Sequence, residues 1–433
     1  MSISLVEILD RGAPAISRRA LAFLVLALPL LVQLGLSLWL ALATPFPSPI
    51  DELQHTTFVR SMAANPEFFP DYASLGSGLP PSAAAPEPNY LNHPTPYYVA
   101  LGQLWDDGVS VEGQMLKLRL INVAVASFAI IIMLAAGAMA FPDLSGRAVF
   151  SSVLVLFPKT PGMAGFVNND SLVLVATGIV FAGLLRLADQ RDTRAGLLVG
   201  AGLALAGWTK LTALVMLGTA ALLVVLLVAL NGRAVARRTL LTGASIAAIG
   251  AIPTFANLLS SGKIIWSSPT HNAVPEALRP DLSAGEFLLH FLQNLALKWP
   301  AFEPAAPIQL ACLAAVLLIC LAGAFFILPT VLRREQPEPL ALVAGAFLLA
   351  LPISIGIHTI YGWSAFLAIG DLTSAQMRYY APLWPGIALA MTLVHRQIVS
   401  PRHKVIAALL MGELLLVCSP FTGMFQAEQL PSI

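Results

Sequence analysis

Charged residues are scarce in this chain: Asp, Glu, Lys and Arg make up only 11% of its 433 residues, against roughly 25% in an ordinary soluble domain. That shortage excludes a freely soluble globular class. There is no basic cluster and the formal net charge is +1, so nothing points to nucleic acid as a partner. Cysteine is rare too. Cys312, Cys320 and Cys418 lie in apolar runs without a CxxC spacing, which removes the usual zinc and dithiol signatures and leaves small packing residues. The first apolar run, 21–43, lacks a clear small-residue cleavage site and reads as a retained span. An internal repeat of the kind that builds many transporters is also missing.

What is abundant is apolar sequence, 57% of the chain. Runs near the roughly 20 residues needed to cross a bilayer fall at 20–42, 118–141, 148–165, 168–188, 194–209, 211–230, 239–259, 307–331, 339–360, 378–396 and 403–420. Backbone groups in lipid must pair within their own segment, so these runs are read as helices. The expected fold is an all-α polytopic membrane protein, a single integral domain over 1–433 with about 11 spans. Two long loops, 43–117 and 260–306, interrupt them. An N-terminus in the cytoplasm places Arg18, Arg19, Arg147, Arg194, Arg237 and Arg238 inside, and Asp51, Glu52, Asp170 and Asp371 outside. The first long loop is rich in Pro and is expected to carry short interfacial helices, with Tyr97, Tyr98 and Trp105 as anchors.

The first loop opens with "PSPIDELQHTTFVRSM". Ser48, Pro49 and Asp51 suit a capped helix start. At about 100° per residue, Asp51, His55, Phe58 and Met62 share one face, which should pack against protein and bring Asp51 and His55 to a cleft wall. Glu52 lies off that face. Further along, "NYLNHPTPYY" sets Asn92, His93 and Tyr97 around two prolines that favour an extended lead into a helix. His55 and His93 are candidate metal ligands, although no compact ligand spacing supports them. A divalent metal therefore stays open.

Ionisable residues also interrupt or flank the spans: Arg119, Lys159 in "FPKTPG", Asp170 in "NNDS", Lys210 in "GWTKLT" and Arg378 in "QMRYY". Charge inside a membrane costs several kcal/mol and marks cavities or function. Helix capping by Asp170 and snorkelling of Lys210 or Arg378 are the structural alternatives. Glu413, inside the last run, has no evident role. Acids in an outer loop beside cations at the membrane edge suit transfer from a lipid phosphate. A carboxylate takes the proton of an attacking hydroxyl, and cations hold the charge left on the phosphate.

"PIDELQHTTFVRSM" resembles the Asp-Glu signature of the GT-C glycosyltransferases, polytopic enzymes that use polyprenyl-phosphate sugars. The His of "DELQH" is similar to that of an uncharacterised bacterial branch of that family. "NHPTPYYVALGQLW", "LRLINVAVA", "NNDSLVLVATG", "LALAGWTKLTAL" and "MRYYAPLWP" resemble further stretches in the expected order. Thr95 stands where the family often has a second proline. The resemblance implies an inverting glycosyltransferase of the bacterial inner membrane, with its active site on the periplasmic side. It implies Asp51 as base with Glu52 its neighbour, and Lys210, Arg378, Arg119 and Lys159 as phosphate ligands. His55, His93, Asn92, Tyr97 and Asp170 would shape the site. The implied partners are a polyprenyl-phosphate sugar donor and a lipid-linked or envelope glycan acceptor. No large soluble domain follows the last run, so the two outer loops are expected to hold the acceptor. A flippase of polyprenyl-linked substrate and a polymerase or ligase using a diphosphate-linked glycan are the competing readings.

Overall fold

A computed structural model of the chain describes residues 15–48, 51–72, 91–155, 160–262, 276–297, 337–372 and 376–398, with isolated positions between these stretches. Among the described residues the regular structure is helical, with no strand. Five helices are long and apolar enough to cross a membrane. They are α1 (Ala15–Ala43), α4 (Val111–Ala140), α7 (Asp170–Asp189), α9 (Leu211–Leu230) and α13 (Pro339–Ile369). α10 (Arg237–Ile249) and α11 (Ile252–Ser261) make a sixth if their 42° bend is one broken span. α5 (Leu144–Val155), α6 (Thr160–Gly165), α8 (Thr193–Gly207) and α14 (Trp384–Gln397) complete the bundle, and α2 (Glu52–Ala64), α3 (Pro96–Gly102) and α12 (Ala284–Leu297) come from the two long loops.

Local chemistry sets the breaks. The expected single run 148–165 is divided between α5 and α6, where Pro161 and the neighbouring Pro158 of "FPKTPG" cannot donate to a continuous ladder. The division expected at "GWTKLT" is present: Thr209 Oγ1 donates back to the Leu205 carbonyl (2.7 Å), and Lys210 is extended at φ −162° before α9 starts. The expected run 378–396 opens with a tight 3-10 turn, Met377–Leu383, before α14. Ser110 Oγ caps α4 by accepting from Gly113 N at 3.2 Å. Ser283 and Glu286 form a capping box ahead of α12, through a 2.8 Å bond from Ser283 N to Glu286 Oε2. The expected run 403–420 with Glu413, most of 307–331, and Lys159 lie outside the described residues.

Phe23, Leu28 and Leu31 on α1, Phe128 and Ile131 on α4, and Leu222 on α9 are exposed. An apolar outer surface of this kind is what lipid contact requires. Inside, α4, α5, α7, α9, α13 and α14 share one apolar core that includes Ala126, Phe150, Phe181, Leu217, Phe347 and Ala388. A second core joins the first loop to the ends of the spans: Phe58, Met62, Tyr97, Tyr98, Met115, Leu118 and Val167. Tyr97 and Tyr98 are therefore core residues rather than interfacial anchors. Their rings stack edge to face at 5.1 Å, and Tyr98 lies 4.0 Å from the Phe58 ring.

α8 and α10 approach backbone to backbone, which small residues allow. A Cβ added to Gly207 would stand 2.0 Å from the Gly250 carbonyl oxygen. Gly207→Val is expected to push the helices apart and lower stability by about 1–3 kcal/mol. Thermal unfolding in detergent reads this directly.

Candidate active site

Asp51 occupies the N-cap position of α2 with a left-handed backbone (φ 52°, ψ 16°) and makes no side-chain cap bond. Asp tolerates this region better than most residues, yet such a conformation still costs about 1–3 kcal/mol and persists only where surrounding contacts impose it. The capping arrangement expected from the sequence is replaced by another: Ser48 N donates to Glu52 Oε2 at 2.9 Å. His55, Phe58 and Met62 are buried as expected, but so are Glu52, Thr56, Thr57 and Val59, so α2 is enclosed on more than the one face expected from the sequence.

Glu52 has no solvent exposure. Besides Ser48 N it accepts from Val167 N (3.0 Å) and, in a two-pronged pair, from Arg119 Nε (2.7 Å) and Nη2 (2.6 Å). Arg119 Nη1 donates to the carbonyls of Ala41 (3.0 Å) and Thr44 (2.6 Å), and Nη2 also reaches Pro45 O (3.4 Å). A guanidinium has five N–H donors, and these contacts engage all of them. The pair thus welds the end of α1, the start of α2 and the turn before α7. It leaves Arg119 no donor for a phosphate and Glu52 no open face for a reacting hydroxyl, which corrects both sequence assignments.

A second charge cluster is built differently. Arg378, in the 3-10 turn before α14, donates from Nη2 to Asp51 Oδ2 at 2.6 Å, and its Nε lies 3.9 Å from Asp170 Oδ2. Lys210 Nζ donates to Asp170 Oδ1 at 2.7 Å and sits 4.7 Å from the centre of the Tyr379 ring. Lys210, Asp170 and Arg378 are buried, whereas the Asp51 side chain keeps 29% exposure. Arg378 Nε and Nη1 are buried without a hydrogen-bond partner, and so is Asn169 Oδ1 beside Asp170. Such underbonded polar atoms are rare in protein interiors and call for a ligand or water.

His55 lies against this cluster. Its Nδ1 shares a 2.8 Å hydrogen bond with Tyr98 Oη, and its ring stacks on His93 at 5.9 Å, 17° from parallel. Among the described residues no group of three His, Cys, Asp or Glu side chains can hold a metal. The two histidines therefore do not fit the metal-ligand role left open by the sequence. Burial, reinforced by Lys210 and Arg378 and opposed by Asp51 and Asp170, lowers the His55 pKa from 6.5 to about 3. Burial likewise holds His93 well below its ordinary value. Between pH 6.5 and about 3 the unfolded chain binds a proton on His55 that the folded protein refuses. Stability is fully kept above this window and falls as the pH is lowered through it. Unfolding temperatures at pH 7.5 and 4.5 should diverge for the native chain and diverge less for His55→Asn.

Asp51, Asp170, Lys210, Arg378 and His55 are brought together, with His93 stacked at the edge. Tyr97 stands one layer back, donating from Oη to Asn122 Oδ1 (2.9 Å), which also accepts from Ser171 Oγ (2.9 Å). Asn92 is half-buried before α3. Three contributors were not assigned from the sequence: Tyr98, Tyr379 and Asn122. A polar Asn inside "RLINVAVA" was itself a signal, and Tyr379 adjoins Arg378 in the same motif.

This arrangement of helices has a counterpart among solved structures. The crystal structure of ArnT from Cupriavidus metallidurans in the apo state superposes with a TM-score of 0.51 at 16% identity, over 91% of this chain and 62% of that one. The fold is that of ArnT. It is the GT-C-like all-α membrane architecture expected from the sequence. The chain spans less than two thirds of the ArnT length. ArnT from the same organism bound to undecaprenyl phosphate gives a TM-score of 0.48, at 16% identity over 91% of this chain and 63% of that one. No family model and no curated protein sequence matches this chain.

Proposed function

We propose that this protein is a membrane glycosyltransferase that moves a sugar from a polyprenyl-phosphate carrier to a lipid-linked or envelope glycan. It works in the bacterial inner membrane with its N-terminus in the cytoplasm and its site on the outer face. The observation that carries this reading is the buried, underbonded guanidinium of Arg378, held between Asp51 and the Asp170–Lys210 pair. Two buried cations facing a partly exposed carboxylate match the needs of a phosphate leaving group and an attacking hydroxyl. The ArnT-like fold supports it.

In the proposed reaction Asp51 takes the proton of the acceptor hydroxyl as that oxygen bonds to the anomeric carbon. The bond from that carbon to the carrier phosphate breaks, its electron pair stays on the phosphate oxygen, and the sugar inverts. Arg378 and Lys210 stabilise the charge gained by the phosphate in a poorly solvated site. Glu52 and Arg119 hold the turn that presents Asp51.

Purified protein supplied with a labelled polyprenyl-phosphate sugar and extracted envelope glycans should yield a labelled glycoside. Movement of intact lipid between leaflets of liposomes, with no glycoside formed, would instead establish a flippase. A preference for diphosphate-linked donors in competition would point to a polymerase or ligase. Lys210→Gln is expected to lower kcat/KM for the donor by about 10²-fold, checked by initial rates at varied donor.

A further inference from the structure

Asn169 precedes α7 at the N-cap position, yet its side chain does not cap that helix. An Asn there ordinarily turns onto the amides of its own first turn. This one crosses to the break between α8 and α9, where Nδ2 donates to the Thr209 carbonyl at 2.8 Å. Both residues are fully buried. The Thr209 and Lys210 amides donate to Ala206 O (3.1 and 2.8 Å), and the first amide bond of α9 runs from Ala213 N to Lys210 O (3.0 Å). Neither helix therefore uses the Thr209 carbonyl, and Asn169 is its one donor among the described residues. The bond also fixes the amide, since a flipped one would set oxygen against oxygen. Asn168 has the local task instead: its Oδ1 accepts from Asp170 N at 2.9 Å.

The next residue on each side repeats the link, because Lys210 Nζ donates to Asp170 Oδ1 at 2.7 Å. Residues 169 and 170 thus hold 209 and 210, the first by main chain and the second by side chain. Trp208 secures the break from the other side, with Nε1 donating to Ile249 O of α10 at 2.8 Å. Lys210 itself is extended, at φ −162°. A lysine carries its charge on a flexible four-carbon stem, so the place of the ammonium depends on how firmly the main chain at its root is held. Resting on the glycosyltransferase reading, we propose that Asn169 is a positioning residue of the phosphate site: by holding the Thr209 carbonyl it fixes the root of Lys210. Asp170 does not replace it, because Asp170 holds Lys210 only at the tip, where a bound phosphate is a second anionic acceptor. Without Asn169 the Thr209 carbonyl is buried and unpaired, and the break must shift to satisfy it.

The test is titration of a polyprenyl monophosphate without sugar into the full-length protein in nanodiscs, so that no chemistry intervenes. Asn169→Ala is expected to weaken binding about tenfold, the lower range for losing a supporting partner at metal sites. Asn169→Leu, which keeps the volume and removes the donor, should lose as much and serves where Asn169→Ala folds poorly. A general loss of stability could also weaken binding, so the deciding readout is a double-mutant cycle with Lys210→Gln. If Asn169 acts through Lys210, either Asn169 variant should cost less than about twofold further once Lys210 is gone. A full tenfold loss in that background would overturn the proposal, as would native affinity in a folded Asn169 variant. Failure of the native protein to bind any polyprenyl monophosphate is a distinct outcome, visible before any variant is made, and would sink the underlying function together with this role.

Discussion

Arg119→Met is expected to lower stability by about 3–5 kcal/mol, the usual cost of stranding one partner of a buried ion pair. Glu52 would keep its bonds from Ser48 and Val167 but lose both charge-assisted ones. Three carbonyls at the end of α1 would lose their donor as well. The change should appear as a lower unfolding midpoint in detergent, with little folded protein recovered at 37 °C. Adding Glu52→Leu removes the stranded carboxylate, so the double variant should be more stable than Arg119→Met alone. If the double variant is instead the weaker of the two, Glu52 contributes through its backbone bonds rather than its charge.

Asp51→Asn should reduce transfer by about 10²–10⁴-fold, the range for removing a positioned general base, while leaving the fold intact. Asn is nearly isosteric and tolerates the left-handed backbone of Asp51. Its amide can still accept a bond from Arg378, but it cannot take up a proton. The measurement is single-turnover transfer from a labelled donor, with unfolding temperature as the control. Near-native turnover in a well-folded protein would move the base elsewhere in the cluster, with Asp170 the remaining carboxylate.

Helical phase made part of α2 legible: His55, Phe58 and Met62 are buried, but Thr56, Thr57 and Val59 on other faces are buried too. Which of two adjacent acids joins the Arg378 cluster was not legible in the same way. Phase set Glu52 off the cleft face, and that is true of the cleft. It could not reveal that Glu52 is the more deeply buried of the two, because the reason is Arg119, 67 residues further on. Pairings of that range depend on how spans pack, not on local periodicity. The same limit explains Arg119 itself, which as a lone cation in a span resembles a phosphate ligand until its donors are counted. Tyr97 and Tyr98 read as interfacial anchors because aromatic residues favour that zone. The second core claims them first, and Tyr98 Oη shares a hydrogen bond with His55 Nδ1. Lys210 and Asp170 were legible singly from their cost in an apolar setting, and their 2.7 Å contact is what joins them.

Chain separation in these pairs also sets a schedule for assembly during synthesis. Glu52 meets Arg119 after 67 residues, whereas Asp51 must await Arg378, 327 residues later. At roughly 5–20 residues per second, that second interval lasts about 15–65 seconds of translation. The turn bearing Asp51 is thus anchored by its neighbour Glu52 while most of the protein is still on the ribosome. Asp51 itself meets Arg378 only when the stretch ahead of α14 emerges. A ribosome stalled before residue 378 would carry a first loop anchored through Glu52 whose Asp51 carboxylate has no counter-charge from that arginine.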